Sequence, residues 1–491
     1  MLFNSYEFLF GFFPLTMCGF LLLWRFRPEW RGAFLALASV LFYIWWDARF
    51  VWLLIGSIVF NYLCGCAIVK SQTRKAALRI MQAGIAVDLC ALGYFKYATF
   101  IANNFDALTG LDFAVGYIVL PIGISFYTFT QIAFLVDAYR GEAKEYNFTN
   151  YVLFVSYFPH LIAGPIIHHK SMMPQFESRA IFRPTARGAA LGTVFFLIGL
   201  IKKVVLADGF ALYADAIFNA SLKGFAPDFA VSWVGALCYT FQIYFDFSGY
   251  CDMAIGLSLF FGVQLPFNFN SPYKARSIVD FWRRWHMTLS AFLREYLYIA
   301  LGGNRRGPGR RYVNLLLTML LGGLWHGANW TFVFWGALHG SYLIINHAWR
   351  SLSTRLALPS WGAVGVLAST ALTFFSVIIA WVFFRAESFA SGTAMLGGMF
   401  GLNGFAGWQP AAAELSRLLG YDELLLAPVS LICLGGLIVW AMPNSQQLVA
   451  KAEELIESRR WSLMGASAVL TCFIMAIHSS QGVSPFIYFN F

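Results

Sequence analysis

The chain has 491 residues, of which 59% are hydrophobic, 18% aromatic and only 12% charged, whereas soluble domains carry about a quarter charged residues. That composition excludes a soluble globular protein and indicates a polytopic membrane protein. The formal net charge of +10 sits mostly in short connecting segments, as expected of cytoplasmic loops, so nucleic acid is not an expected partner.

At about 20 apolar residues per span, the first expected spans are Tyr6 to Trp24, Ala33 to Trp46, Phe50 to Val69 and Ile80 to Tyr97. Met1 to Phe13 lacks a basic n-region and a small-residue cleavage site, so the first is read as a retained span rather than a removed signal peptide. Arg25, Arg27 and Arg31 follow the first span and Lys70, Arg74, Lys75 and Arg79 the third, whereas Phe100 to Val119 carries no basic residue. The positive-inside rule then puts the amino terminus outside the cytoplasm.

Between Ile118 and Ala207, Pro121, Gly123, Pro159, Gly164, Pro165 and Pro174 would interrupt a simple spanning helix. Broken or re-entrant helices are expected there, and such backbone persists in a membrane only where protein or a water-filled cavity surrounds it. The run Trp233 to Phe261 contains Asp246 and Asp252 among aromatic residues. Intramembrane acids usually face a bundle interior and have a partner, either bridging helices or lining a cavity.

Asn268 to Arg311 is the most polar part of the core. Trp282, Trp285, Leu289 and Phe292 share a face at helical spacing, with Arg283 and Arg284 turned away, which predicts an amphipathic or re-entrant helix near the interface. A Gly/Pro-rich loop with Arg305, Arg306, Arg310 and Arg311 follows, placed in the cytoplasm by its charge. A helix starting near Tyr312 carries His326 about 21 Å into a core about 30 Å thick. Trp330 to Trp349 then returns to Arg350 and Arg355. Spans at Val364 to Phe384 and Leu424 to Trp440, a basic amphipathic segment at Lys451 to Arg460 and a last span at Leu463 to Ile477 complete the reading. The fold class is all-α and polytopic, with about eleven spans plus re-entrant or interfacial helices, in a single membrane-embedded domain covering residues 1–491.

The sequence has no Gly-x-Ser-x-Gly elbow, no phosphate loop ending in Lys-Ser/Thr and no His-Glu-x-x-His, so hydrolase, ATPase and zinc-protease readings have no support. The eight cysteines are scattered; only Cys64 and Cys66 are close, without a partner pair at zinc spacing, so all are read as packing residues and no metal site is expected. His168 and His169 are read as a solvated pair, His339 and His347 as helix-packing residues. His286 and His326 differ, since each directly follows a tryptophan within a polar stretch of an apolar sequence. Burial would keep such an imidazole neutral and available as a base near neutral pH. The alternative is a hydrogen-bonded histidine joining two membrane helices, and the residues alone leave both readings open.

Four blocks carry a resemblance: Phe269-Asn270-Ser271-Pro272-Tyr273, Phe281 to Ser290, Tyr298-Ile299-Ala300-Leu301-Gly302-Gly303-Asn304-Arg305 and Trp325-His326-Gly327-Ala328-Asn329-Trp330. Together they resemble the membrane-bound O-acyltransferase family, and within it the bacterial alginate O-acetylation membrane proteins. Leu161 to Ile166 and the ending Ser484 to Phe489 fit the same subgroup.

The resemblance implies a ring of helices around a central funnel or tunnel in the bacterial inner membrane, with a periplasmic amino terminus. It implies an acyl donor, acetyl-CoA, approaching from the cytoplasm and a polysaccharide acceptor outside, with a periplasmic acetyltransferase as a partner and no bound cofactor. The family's near-invariant histidine matches His326 and its second polar residue matches His286. Acyl transfer from a thioester to a hydroxyl needs a base for the hydroxyl proton and a donor for the oxyanion. His326 is the candidate base and His286 its companion, with Trp325, Asn329 and Trp330 as nearby hydrogen-bond donors. Arg305, Arg306, Arg310 and Arg311 offer an anion site for coenzyme A phosphates, or serve only as positive-inside charges. Two other readings within this frame are D-alanyl transfer to teichoic acid by a related subgroup and a polymer-export or transport protein without chemistry. Such transporters often show paired internal repeats, which this sequence does not display. A haem or quinone protein with histidine ligands is a third.

Overall fold

The computed structural model describes residues 1–111, 115–116, 118–143, 147–162, 164–178, 182–357, 359, 361–405, 408–420, 426–457, 465 and 486–487. Among these residues the chain forms helices and connecting turns, with no strand. Helices Glu7–Phe26, Ala48–Lys70, Arg74–Thr109, Ala186–Leu222 and Gly362–Arg385 are long and apolar enough to cross a membrane. A sixth span results if Leu426–Ala441 and Ser445–Leu455, bent by 66° at their junction, are counted together. Further long helices, such as Phe229–Phe260 and Trp330–Arg355, carry many buried polar or aromatic residues, which lowers their mean hydropathy below that of a plain lipid-facing span. The expected last span, His478 and the closing Ser484 to Phe489 block lie outside the described residues apart from Gly465, Phe486 and Ile487.

The described residues divide into two compact units. One comprises Met1–Leu200, Tyr250–Phe267 and the described residues from Val449 onward. Its helices Val51–Lys70, Arg74–Leu92 and Ile124–Arg140 enclose a polar seam, in which Asn61 Nδ2 donates to Asp88 Oδ1 at 2.8 Å and Gln131 Nε2 to Ser57 Oγ at 2.7 Å. Buried polar groups persist in such surroundings because they bond one another. As the prolines and glycines predict, the chain from Phe148 to Glu177 runs in short pieces, Phe148–Ser156, Phe158–Leu161 and His169–Glu177, whereas Ile124–Arg140 before it and Ala186–Leu222 after it are long helices. The expectation of a solvated His168–His169 pair fails at His169, which is buried between the rings of Phe134 and Phe154 at 5.4 and 5.6 Å. Aromatic walls accept a neutral imidazole, so the neighbouring Lys170 does not decide its exposure.

The second unit comprises Ile201–Gly249 and Asn268–Leu448 and holds every candidate residue of the Trp-His stretches. Its relevant helices are α1 (Phe229–Phe260, whose last turns belong to the first unit), α2 (Ile278–Trp282), α3 (Met287–Phe292), α4 (Gly307–His326), α5 (Trp330–Arg355) and α6 (Gly362–Arg385). Helices α4 and α5 form a hairpin whose backbones touch. A side chain on Gly336 would collide with the Met319 carbonyl and lie 3.1 Å from Leu320 Cα, and one on Gly323 would lie 3.1 Å from Gly336 N. Small residues bring membrane helices together in this way, since dispersion rather than water exclusion drives their packing.

Candidate active site

His326 is the last residue of α4, and His286 stands in the break between α2 and α3. The amphipathic or re-entrant helix expected over Trp282 to Phe292 is therefore two short helices separated by Arg283–His286. Ser277 caps the first through its side chain, and Arg284 turns back to bond Asp280 Oδ1 at 2.8 Å and the Asn270 carbonyl at 3.3 Å. Backbone bonds from Asn270 N to Arg284 O and from Met287 N to Asn268 O, both 2.9 Å, clamp the break against residues 268–270.

The clamp holds His286 at φ 43°, ψ 55°, a left-handed conformation that a non-glycine residue adopts only when its surroundings over-determine it, and one that clusters at functional sites. Its side chain is fully buried. His286 Nδ1 lies 3.0 Å from Asn268 Oδ1, which also receives Thr288 N–H at 3.2 Å and Thr288 Oγ1 at 3.0 Å. An atom that accepts a backbone N–H is the amide oxygen, so His286 Nδ1 is the donor and the lone pair of the neutral ring resides on Nε2. Nothing in the sequence blocks singled out Asn268. The only signal was an asparagine in the apolar run Pro266 to Asn270.

The two imidazoles flank one indole. Trp325 lies with its ring centroid 6.4 Å from His286 and 5.0 Å from His326. His326, 3% exposed, meets Trp335 and Phe384 edge-on at 5.1 Å each, and Phe247 of α1 meets His286 at 4.8 Å. Trp335 in turn meets His339 at 4.7 Å. His339 is fully buried on the face that α5 turns inward, so it belongs to the same aromatic enclosure as His326.

The supporting residues separate. Trp325 is buried and shared by both histidines. Trp330, the first residue of α5, is 52% exposed. The amide of Asn329 is engaged in shaping the hairpin: its Oδ1 accepts Thr331 N–H at 3.1 Å as the cap of α5, and its Nδ2 donates to the Glu387 carbonyl at 2.8 Å. The cap sets where α5 starts and hence where Trp335 and His339 fall.

Arg305, Arg306 and Arg310 are exposed and Arg311 is half-buried over the ring of Tyr312. Arg310 and Arg311 lie in the first turn of α4, which begins at Gly307 rather than near Tyr312. Asn314 Nδ2 bonds the Gly303 carbonyl at 3.0 Å, folding the preceding loop back along α4 to about 18 Å of helix from His326. Of the two acids expected to have partners, Asp246 pairs with Lys203 at 2.8 Å, and Lys203 also reaches Asp208 at 2.7 Å. Lys203 sits on a π-helical segment, Lys202–Ala207, and a bulge of this kind turns one side chain out of the helical register.

The site is thus a pair of buried histidines around one tryptophan, at the end of a glycine-packed hairpin in an all-α membrane protein. Residues 40–389 match the profile of the membrane-bound O-acyltransferase family, so the chain belongs to that family and is an O-acyltransferase. It is 39% identical to a peptidoglycan O-acetyltransferase of Helicobacter pylori, over 100% of this chain and 98% of that protein. It is 41% identical to a probable alginate O-acetylase, AlgI, of Azotobacter vinelandii over the whole of both chains. A teichoic acid D-alanyltransferase of Streptococcus thermophilus is 29% identical over 46% of this chain and 57% of its own length.

Proposed function

We propose that the protein moves an acetyl group from a cytoplasmic thioester, acetyl-CoA, to hydroxyls of an exported polysaccharide, directly or through a periplasmic acetyltransferase. Its location in this reading is the bacterial cytoplasmic membrane, with the amino terminus on the periplasmic side, in keeping with the basic residues that follow the first and third spans. The observation that carries the reading is the pair of buried imidazoles on the Trp325 ring, one of them ending a helix that begins among arginines. His326, buried against the rings of Trp325, Trp335 and Phe384, is the group suited to take a hydroxyl proton. His286, held as the Nδ1–H tautomer by Asn268, offers its Nε2 lone pair to a hydroxyl or to the proton in transit.

Among the described residues none of the four guanidiniums at 305, 306, 310 and 311 is paired with a carboxylate. Flanking the start of α4, they supply positive charge suited to phosphate. Supporting the acetyl reading, the full-length relatives named above are O-acetylating enzymes, whereas the D-alanyltransferase matches only part of the chain.

Membranes containing the protein, supplied with acetyl-labelled acetyl-CoA or with a D-alanyl-labelled carrier protein, test the donor. Acetyl label is expected in the surface polymer. Incorporation of D-alanine instead would overturn the donor, and a loss of polymer export without either label would favour a transport protein.

A further inference from the structure

Of the hydrogen-bond donors expected from the sequence, Trp325 lies beside His326, whereas Asn329 caps a helix and Trp330 is half-exposed. Trp335, which no sequence motif marked, lies against His326 as well. Its ring is edge-on to His326 at 5.1 Å with an interplanar angle of 87°, and it is 1% exposed. Its Nε1–H has no hydrogen-bond partner among the described residues. Elsewhere in this unit Trp233 Nε1 donates to the Met399 carbonyl at 3.0 Å and Trp440 Nε1 to the Tyr273 carbonyl at 3.1 Å. A buried indole N–H ordinarily finds an acceptor, and leaving one unmade is costly. The same orphan donor occurs at Trp381 and at Trp282, and the Trp282 ring meets Trp335 and His339 at 5.8 and 5.1 Å.

The backbone fixes Trp335 firmly. It lies one residue before Gly336, where α4 and α5 are in backbone contact, and stacks on Trp381 of α6 at 5.8 Å and 17°. A donor held rigidly beside the base, in a water-poor setting, is what stabilisation of a developing negative charge requires, since no reorganisation is then needed as the charge forms.

We propose that Trp335 is a catalytic residue whose Nε1–H donates to the oxyanion of the tetrahedral intermediate. The inference rests on the acyl-transfer reading above. An imidazole nitrogen of His326 takes the acceptor hydroxyl proton while that oxygen bonds to the thioester carbonyl carbon. The carbonyl electron pair moves onto its oxygen, which accepts from Trp335. When the pair returns, the carbon–sulfur bond breaks and the thiolate leaves with the proton held by His326. Atoms, electrons and protons balance without a further reactant.

The test measures transfer of labelled acetyl from acetyl-CoA into surface polymer in membranes carrying the full chain, comparing wild type with Trp335→Phe, His326→Ala and a variant with benzothienylalanine at position 335. The last keeps the ring shape but replaces N–H by sulfur, so it separates hydrogen bonding from packing. Both position-335 variants are expected to lose about 100-fold in kcat with little change in KM for acetyl-CoA. Wild-type kcat in the benzothienylalanine variant, or a defect confined to KM, overturns the inference while leaving His326 as the base. Undiminished transfer by His326→Ala overturns the acyl-transfer reading itself.

Discussion

At the scale of single residues, the chemistry of His286 depends on an uncharged neighbour. Asn268 gathers His286 Nδ1, Thr288 N and Thr288 Oγ1 on one oxygen, so it selects the tautomer and supports the left-handed backbone together. Replacing it with leucine removes the acceptor while keeping the volume. Asn268→Leu should lower kcat by about 10²-fold, within the range of general acid–base catalysis, and Asn268→Asp, which keeps an acceptor, should retain more. Steady-state kinetics at saturating donor would check this, and equal rates in Asn268→Leu and wild type would refute the role. The histidines themselves were legible because a Trp-His pair in a polar patch is rare in an apolar chain. Asn268 and Trp335 were not, since their partners come from elsewhere in the chain. Asn329 and Trp330 follow His326 closely in sequence, but α4 ends at His326, and they fall at the cap and first residue of α5.

The elements show the same division. The α4–α5 hairpin could be anticipated from two apolar stretches around Gly327, but the backbone contact at Gly323 and Gly336 is a property of the pair. Gly336→Val would place branched carbon against the Met319 carbonyl, and overpacking of this kind typically costs about 1–3 kcal/mol. The variant should unfold at lower temperature in detergent and lose transfer activity, because the separation would displace Trp335 from His326. An unchanged melting temperature would contradict the close-packed hairpin. The break at Arg283–His286 escaped the periodicity argument for a plain reason. Trp282, Trp285 and Leu289 keep helical spacing across it, while the hydrogen bonds that cause it come from Asn268, Asn270 and Asp280.

For the molecule as a whole, composition was enough to establish a helical membrane protein, and the acid at position 246 announced an interior polar contact. Its partner Lys203 was invisible, because nothing local marks a π-helical turn that redirects a lysine inward. Breaking such a buried pair from one side leaves an uncompensated charge and costs about 3–5 kcal/mol. Lys203→Met should therefore lower thermal stability strongly, and Lys203→Met/Asp246→Leu should recover part of it; calorimetry or scanning fluorimetry reads both, and a single variant as stable as wild type would refute the pairing. The division into two units, each assembled from separate stretches of chain, was likewise beyond any local signal. The central claim, that His326 is the base of an acetyl transfer, is tested most directly by the O-acetyl content of the surface polymer in cells lacking the gene and complemented with wild type or His326→Ala. The account predicts acetylated polymer with wild type and none with a His326→Ala protein present in the membrane at normal amount; normal acetylation by that variant would contradict it.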